Sequence, residues 1–401
     1  MPQFEPFRGL RYQPEATLIG QVMAPPYDVI SSTERVHLAS RHPANAVLVE
    51  LPEPDLQGGR DRYAVATELF SRWQAEGILR PDAEPSVYPY RMTDTAGRSS
   101  TGVLGALGLA RPGEESDILP HEQTLPKAKT DRLDLLRATR ANLSPIWGLS
   151  MSAGLTATFD PTDDEPVADA YDDEGVRHQL WVLSDRDAIG AIAAAIATAP
   201  VVVADGHHRY ETARTYQAEC RAANGDQGGP HDLVLALVVE LAEEQLTVGA
   251  IHRTVSGLPE DFDVPGAFAQ WFDVVRAGAA DERTLGALVD SRSLALVSGG
   301  QAFLLLPHAE TYEKAGDDLD SSLIATALSH LPPHEVVHRH SLAETMEALD
   351  HGEGQAAFLL RPVTVAQIAE WANARRRMPP KTTYFSPKPR TGMVFRSLDI
   401  P

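Results

Sequence analysis

The 401-residue chain contains a single cysteine, Cys220. An internal disulfide is therefore excluded, and a reducing compartment fits best. Cys220 follows Tyr210 and Ala213 at helical spacing, so it reads as packing rather than as a nucleophile. A long Lys/Arg block is also missing: 35 basic residues face 56 acidic ones, a formal net charge of −21. A surface of that sign repels nucleic-acid phosphates and anionic lipid, so neither is expected as a partner. The opening MPQFEPFRGLRY lacks the basic and apolar regions of a signal peptide. The most apolar stretch, residues 188–204, is broken by Pro200 just before VVVAD and reads as a helix feeding a buried strand. A cytoplasmic protein without a membrane span is the expectation.

The common signatures of nucleotide and hydrolytic chemistry are absent too. There is no G-x-x-x-x-G-K-[ST] loop, no G-x-G-x-x-G opening a helix, no G-x-S-x-G elbow and no H-E-x-x-H. The standard NTPase, dinucleotide, hydrolase and zincin readings thus have no support in the sequence. No solenoid-length repeat and no low-complexity tail appears.

What is present is an ordinary globular mixture, 43% hydrophobic and 23% charged, long enough for two or three domains. Residues 46–51 (AVLVEL) and 103–110 are strand candidates, and 63–77 carries helical periodicity stopped by Gly77. Thr130 or Asp131 can cap a helix that Ser144–Pro145 ends. The acidic stretch 159–173 reads as a surface loop or hairpin tip, followed by a strand at 178–183. Further strands are expected at 233–240 and 246–252, before a polar break at 256–265. The sum is a mixed α/β (α+β) chain. It divides into residues 1–257, carrying HEQT and DGHHR, and a C-terminal α/β region, 258–401, with an irregular tail.

The sharpest local signal is VVVADGHHRYETAR at 201–214. Three β-branched residues in a row suit a strand buried on both faces. Asp205 is placed to cap a helix, Gly206 allows a tight turn with close backbone approach, and His207, His208 and Arg209 fall in the first helical turn. The N–H groups there have no intrahelical partner, and the helix dipole is positive at that end. Two imidazoles and a guanidinium in that position conflict with the dipole unless an anion is bound. Two other readings stand beside this one. Asp205 can be a plain cap with the histidines making core hydrogen bonds, or the histidines can ligate a metal, although adjacent helix positions point about a hundred degrees apart.

ADGHHRYETA, preceded by HEQTLPKAKTDR, resembles the bacterial family catalogued as domain of unknown function 1015. APPYDVIS at 24–31, IHRTV at 251–255 and PPKTTYFSPKPRTG near the end extend the resemblance along the chain. More distantly, the strand–DGxHR–helix unit is similar to that of ParB-type partition proteins, sulfiredoxins and ADP-dependent free-serine kinases. The resemblance implies a ParB/sulfiredoxin-like core whose turn holds nucleotide phosphates. In the kinase branch a His-Glu segment upstream supplies the base, and the matching residues here are His121 and Glu122.

Three functions follow. The first is a phosphotransferase between an adenine nucleotide and the hydroxyl of a small metabolite such as serine, run in either direction. Glu122 and His208 would be its catalytic residues. Asp205, Gly206, His207, His208, Arg209, His121, Lys127 and Lys129 would bind phosphate and nucleotide, with Mg²⁺ and ADP or ATP as cofactors. Arg132, Arg137 and Arg140 either join this basic concentration or line a solvated helix face. Tyr27, Asp28, His252, Arg253 and Lys381 are candidate substrate contacts, each with a structural alternative. The tail residues Thr382, Tyr384, Lys388 and Arg390 either fold over a site or pack on a sheet edge. The second function is a nucleotide-binding adaptor similar to partition proteins, without small-molecule catalysis. The third is a metal-dependent hydrolase using His121, His207 and His208.

Overall fold

The computed structural model describes residues 1–111, 114–122, 129–160 and 164–400. They form two units, Met1–Thr247 with Pro387–Pro401, and Val248–Ser386. The expected break after residue 257 therefore falls inside the second unit, and the chain's last segment rejoins the first. The tail has no periodicity because it is held by scattered long-range pairings rather than by a regular element. Ala24 pairs with Thr391, Leu10 with Phe395, and Ala141–Asn142 with Arg396–Ser397.

The first unit is built on a nine-stranded mixed sheet. Its spatial order is Ile118–Pro120, Val201–Asp205, Ile146–Ser150, Leu233–Glu240, Ser99–Gly108, Tyr88–Thr93, Arg177–Leu180 and Ala168–Tyr171, with Phe4–Glu5 also on Ser99–Gly108. Two neighbour pairs are parallel: Ile118–Pro120 with Val201–Asp205, and Ile146–Ser150 with Leu233–Glu240. LVLALVVE and VVVAD are continuous apolar runs because both faces of these central strands are buried. One face packs Val201, Val203, Val234, Ala236 and Val238 against Ile189, Ile192 and Ile196 of the helix Arg186–Ala197 and Tyr210 of His207–Asn224. Asp185 caps the first of these helices through the N–H of Ala188.

A second core in this unit surrounds the helix Arg62–Ala75, whose Ala66, Phe70 and Trp73 face Tyr12, Leu38 and Phe395. Here one local expectation fails. AVLVEL is not a strand; Val47–Glu50 is a single helical turn. Asn45 bends the chain by accepting the Val47 N–H at 3.0 Å, and Val47 and Val49 are then fully buried in the core. Tertiary burial outweighs the β-propensity of the run. The acidic stretch does end in a hairpin, Ala168–Tyr171 with Arg177–Leu180.

The second unit carries a six-stranded antiparallel sheet in the order Phe272–Ala279, Gln301–Pro307, Ala295–Ser298, Ala356–Leu359, His252–Ser256, Glu335–Arg339. Alternate residues face opposite sides, as a period of two requires. Leu296 and Phe358 join one core with Phe268 and Leu323, while Ala295, Val297 and Leu359 join another with Leu285. The chain is thus mixed α/β in both units. Among the described residues no helix is long and apolar enough to cross a membrane. Cys220 is partly buried beside Leu133, Leu136, Tyr216 and Leu398.

Candidate functional site

The site is built around the end of the strand Val201–Asp205. Against Ile146–Ser150 its register shifts between Val203 and Asp205, so Ala204 is a bulge that turns Asp205 out of the alternation. Gly206 follows at φ 86, and the helix His207–Asn224 begins at once, with no acidic residue in its first turn. A side chain at Gly206 would be strained twice over. The left-handed region disfavours it, and a Cβ would lie 3.1 Å from the Arg209 Cζ and Nε atoms. Gly206 rather than Asp205 is the N-cap residue, and the cap makes no side-chain hydrogen bond.

The carboxylate of Asp205 is drawn elsewhere. Its Oδ2 accepts from Arg209 Nη2 at 2.7 Å, and its Oδ1 is paired with the Lys388 ammonium. Burial favours the neutral acid, but Lys388, Arg209 and His207 together hold the carboxyl well below the usual range. Lys388 responds in kind: burial pushes it down, and Asp205 and Asp28 push it up by more. Arg209 also donates to the Pro145 carbonyl. Two of its donors are therefore committed to the protein, and it braces the turn. Its Nε has no hydrogen-bond partner among the described residues.

Two segments distant in sequence reach this turn. Parallel pairing of Ile118–Pro120 with Val201–Val203 delivers His121, whose Nδ1 lies 2.5 Å from the Val203 carbonyl. A carbonyl only accepts, so Nδ1 carries the proton and Nε2 is the basic nitrogen. Burial pushes this histidine down to about 4, which keeps it neutral near pH 7. Its ring lies 4.9 Å from that of His207. Glu122 follows directly and is half-buried, as is His208. From the other side comes the turn Tyr27–Val29. The Tyr27 ring lies 4.4 Å beneath the Arg132 guanidinium and 6.0 Å from that of Arg209.

The remaining candidates divide. Lys127 lies outside the described residues, and Lys129 opens the helix Lys129–Thr139. Arg137 pairs with Glu219 at 2.5 Å on the solvated face of that helix, and Arg140, exposed and past the helix end at φ 47, pairs with Asp399 at 2.7 Å. Arg132 departs from that face: it is buried, donating to the Glu50 carbonyl at 2.8 Å and pairing with Asp131 at 2.6 Å. Glu50 itself is buried and accepts from Ser144 at 2.9 Å. The strand expectation for 46–51 concealed it.

His252, Arg253 and Lys381 belong to the second unit. Arg253 is buried and donates to the Ile251 and Lys381 carbonyls at 2.6 and 2.7 Å. The His252 Nδ1 accepts the Leu360 N–H, and burial pushes that ring down to about 4.

Among the described residues no group of three or more His, Cys, Asp or Glu side chains is placed to hold a metal ion. Asp205, the nearest carboxylate to the turn by sequence, already has both oxygens on cations. An all-protein cage of three or more such ligands is thus not seen among the described residues. Mg²⁺ needs no such cage, since it is usually held by one or two carboxylates together with substrate phosphates and water.

A family model, that of Protein of unknown function (DUF1015), matches residues 4–325. The PPKTTYFSPKPRTG segment lies beyond that span. A search of curated proteins finds no match. Among solved structures, a free serine kinase in complex with AMP is 14% identical, with TM-score 0.36, covering 67% of this chain and 83% of that one. A conserved hypothetical protein from Pyrococcus furiosus is 14% identical with TM-score 0.37, covering 71% and 93%. SbnI from Staphylococcus aureus is 12% identical with TM-score 0.40, covering 72% and 85%.

Proposed function

The chain belongs to the family described as Protein of unknown function (DUF1015), and we propose that it is a phosphotransferase moving phosphate between an adenine nucleotide and the hydroxyl of a small metabolite such as serine. One observation carries this reading. A helix N-terminus that holds histidines and an arginine in place of acids lies beside His121, brought in by a separate parallel strand with Glu122 next in sequence. The first feature suits a phosphate, through the helix dipole and first-turn N–H groups that an α-helix does not itself use. In this reading Glu122 of the second is the base.

In this reading Gly206 lets phosphate oxygens approach the backbone, and His207 and His208 add donors. Glu122 accepts the hydroxyl proton as the acceptor oxygen attacks, or returns it in the reverse direction. Neutral His121 is held in one tautomer by Val203. Tyr27 and Asp28 bound the substrate side. Mg²⁺, when bound with nucleotide, neutralises phosphate charge.

The test is ³¹P NMR of the protein with Mg²⁺ and either ATP with serine or ADP with phosphoserine. Transfer is expected in at least one pairing, and Glu122→Gln should slow it about 10²–10⁴-fold, the usual worth of a general base. Absence of transfer with every pairing overturns the serine version. An adaptor that only binds nucleotide would show no transfer and an unchanged affinity in Glu122→Gln. The metal-hydrolase alternative draws no support from the described side chains.

A further inference from the structure

Lysine is scarce in this chain. It occurs five times, at Lys127, Lys129, Lys314, Lys381 and Lys388, and arginine supplies the other basic residues. Among the described residues the carboxylate partners in ion pairs are arginine, histidine or the N-terminus, with one exception, Lys388 on Asp205. A lysine thus stands at this turn where most ion pairs of the described residues use arginine.

Its position is tightly prepared. Lys388 stands between Pro387 and Pro389, both buried, which restrict the backbone on either side. Two residues on, Arg390 is buried and ion-paired with the equally buried Asp172. Asp172 also accepts from His178 Nε2 at 2.8 Å, and His178 Nδ1 meets Tyr90 Oη at 2.7 Å. Tyr90 Oη in turn accepts the Arg390 N–H at 3.2 Å, closing the network. Thr391 then pairs with Ala24 and Phe395 enters the second core of the first unit. The tail is thus a strap, tied down from Arg390 onward, and it presents one ammonium to Asp205.

We propose that Lys388 is a phosphate ligand of this site, held on Asp205 until an anion arrives and then shared with a phosphoryl oxygen. This deepens the phosphotransferase reading and rests on it for the identity of the anion. The choice of lysine over arginine is what such a role requires. A guanidinium can lock onto a carboxylate in two parallel bonds, although Arg209 meets Asp205 through a single nitrogen, whereas an ammonium is a compact charge on a flexible stem. Lys388 also remains charged through neutral pH, since Asp205 and Asp28 outweigh the effect of its burial. The Arg209 Nε, nine-tenths buried with its side chain and without a partner among the described residues, lies over Gly206 and offers the incoming anion a further donor.

The probe is pyrophosphate, titrated calorimetrically into the full chain, with circular dichroism to confirm folding. Lys388→Met should weaken binding at least tenfold, and Lys388→Arg should recover part of it. Asp205→Asn should tighten it severalfold, because the lysine loses its resident anion while keeping its place. A purely structural lysine predicts the opposite for Asp205→Asn: unchanged or weaker binding, as the turn loosens. Folded Lys388→Met with wild-type affinity overturns the proposal. If that variant does not fold, the direction of the Asp205→Asn change decides. Pyrophosphate binding that follows these variants without any transfer keeps Lys388 and removes the kinase. Transfer with pyrophosphate affinity indifferent to both variants does the reverse.

Discussion

At the scale of single residues, His121 ties the site's chemistry to its stability. The ring is buried and its pKa lies near 4, below the ordinary 6.5, so the folded state disfavours the proton. The stability this contributes is complete above pH 6.5 and is lost as pH falls from there toward 4, a total of roughly 3 kcal/mol by linkage. Urea midpoints measured at pH 7.5 and 5 should fall accordingly, and His121→Asn should flatten the slope; an equal slope in that variant contradicts the assignment. Gly206 gives a second prediction. Gly206→Ala must hold φ near 86 against its own Cβ and displace the Arg209 guanidinium. It should cost roughly 1–2 kcal/mol in stability and abolish measurable pyrophosphate binding by closing the backbone approach. Retained binding in a folded variant would place the anion elsewhere.

At the scale of elements, the strand–turn–helix was legible because each part has its own local signal: a β-branched run, a glycine, then helical spacing through Tyr210, Ala213 and Gln217. The basic helix before Ser144 was legible for the same reason. The 46–51 segment was not, since its pattern of Val and Leu suits a buried strand and a buried helical turn alike. Least legible were pairings across long separations. Lys388 lies 183 residues from Asp205 and Arg390 lies 218 from Asp172. No spacing rule connects such residues, and a tail rich in Pro, Lys and Thr reads as irregular when seen alone. The strap is nonetheless a structural element with a measurable worth. Arg390→Met leaves Asp172 buried beside a neutral partner, and breaking a pair of this kind typically costs about 3–5 kcal/mol. Chemical denaturation should show that loss in the first unit, and a change under about 1 kcal/mol would show that the network is not holding the tail.

At the scale of the whole molecule, the chain leaves the first unit after Thr247 and returns to it at Pro387. Removal of residues 387–401 should therefore damage the first unit, exposing the core around Tyr12, Phe70 and Trp73 that Phe395 fills. Loss of cooperative unfolding in that truncated chain is the expected result. The net charge of −21 sets another whole-molecule condition. On the proposed reading an anionic nucleotide approaches against the overall field and is favoured locally by His207, His208, Arg209 and Lys388. The central claim is that this cluster holds a nucleotide phosphate, and a crystal structure of the full chain grown with Mg²⁺ and ADP tests it most directly. The account predicts terminal phosphate oxygens about 2.7–3.2 Å from first-turn N–H groups of the helix beginning at His207, with the Lys388 ammonium turned from Asp205 toward them. ADP bound with its phosphates away from Gly206, and Lys388 still on Asp205, would contradict it.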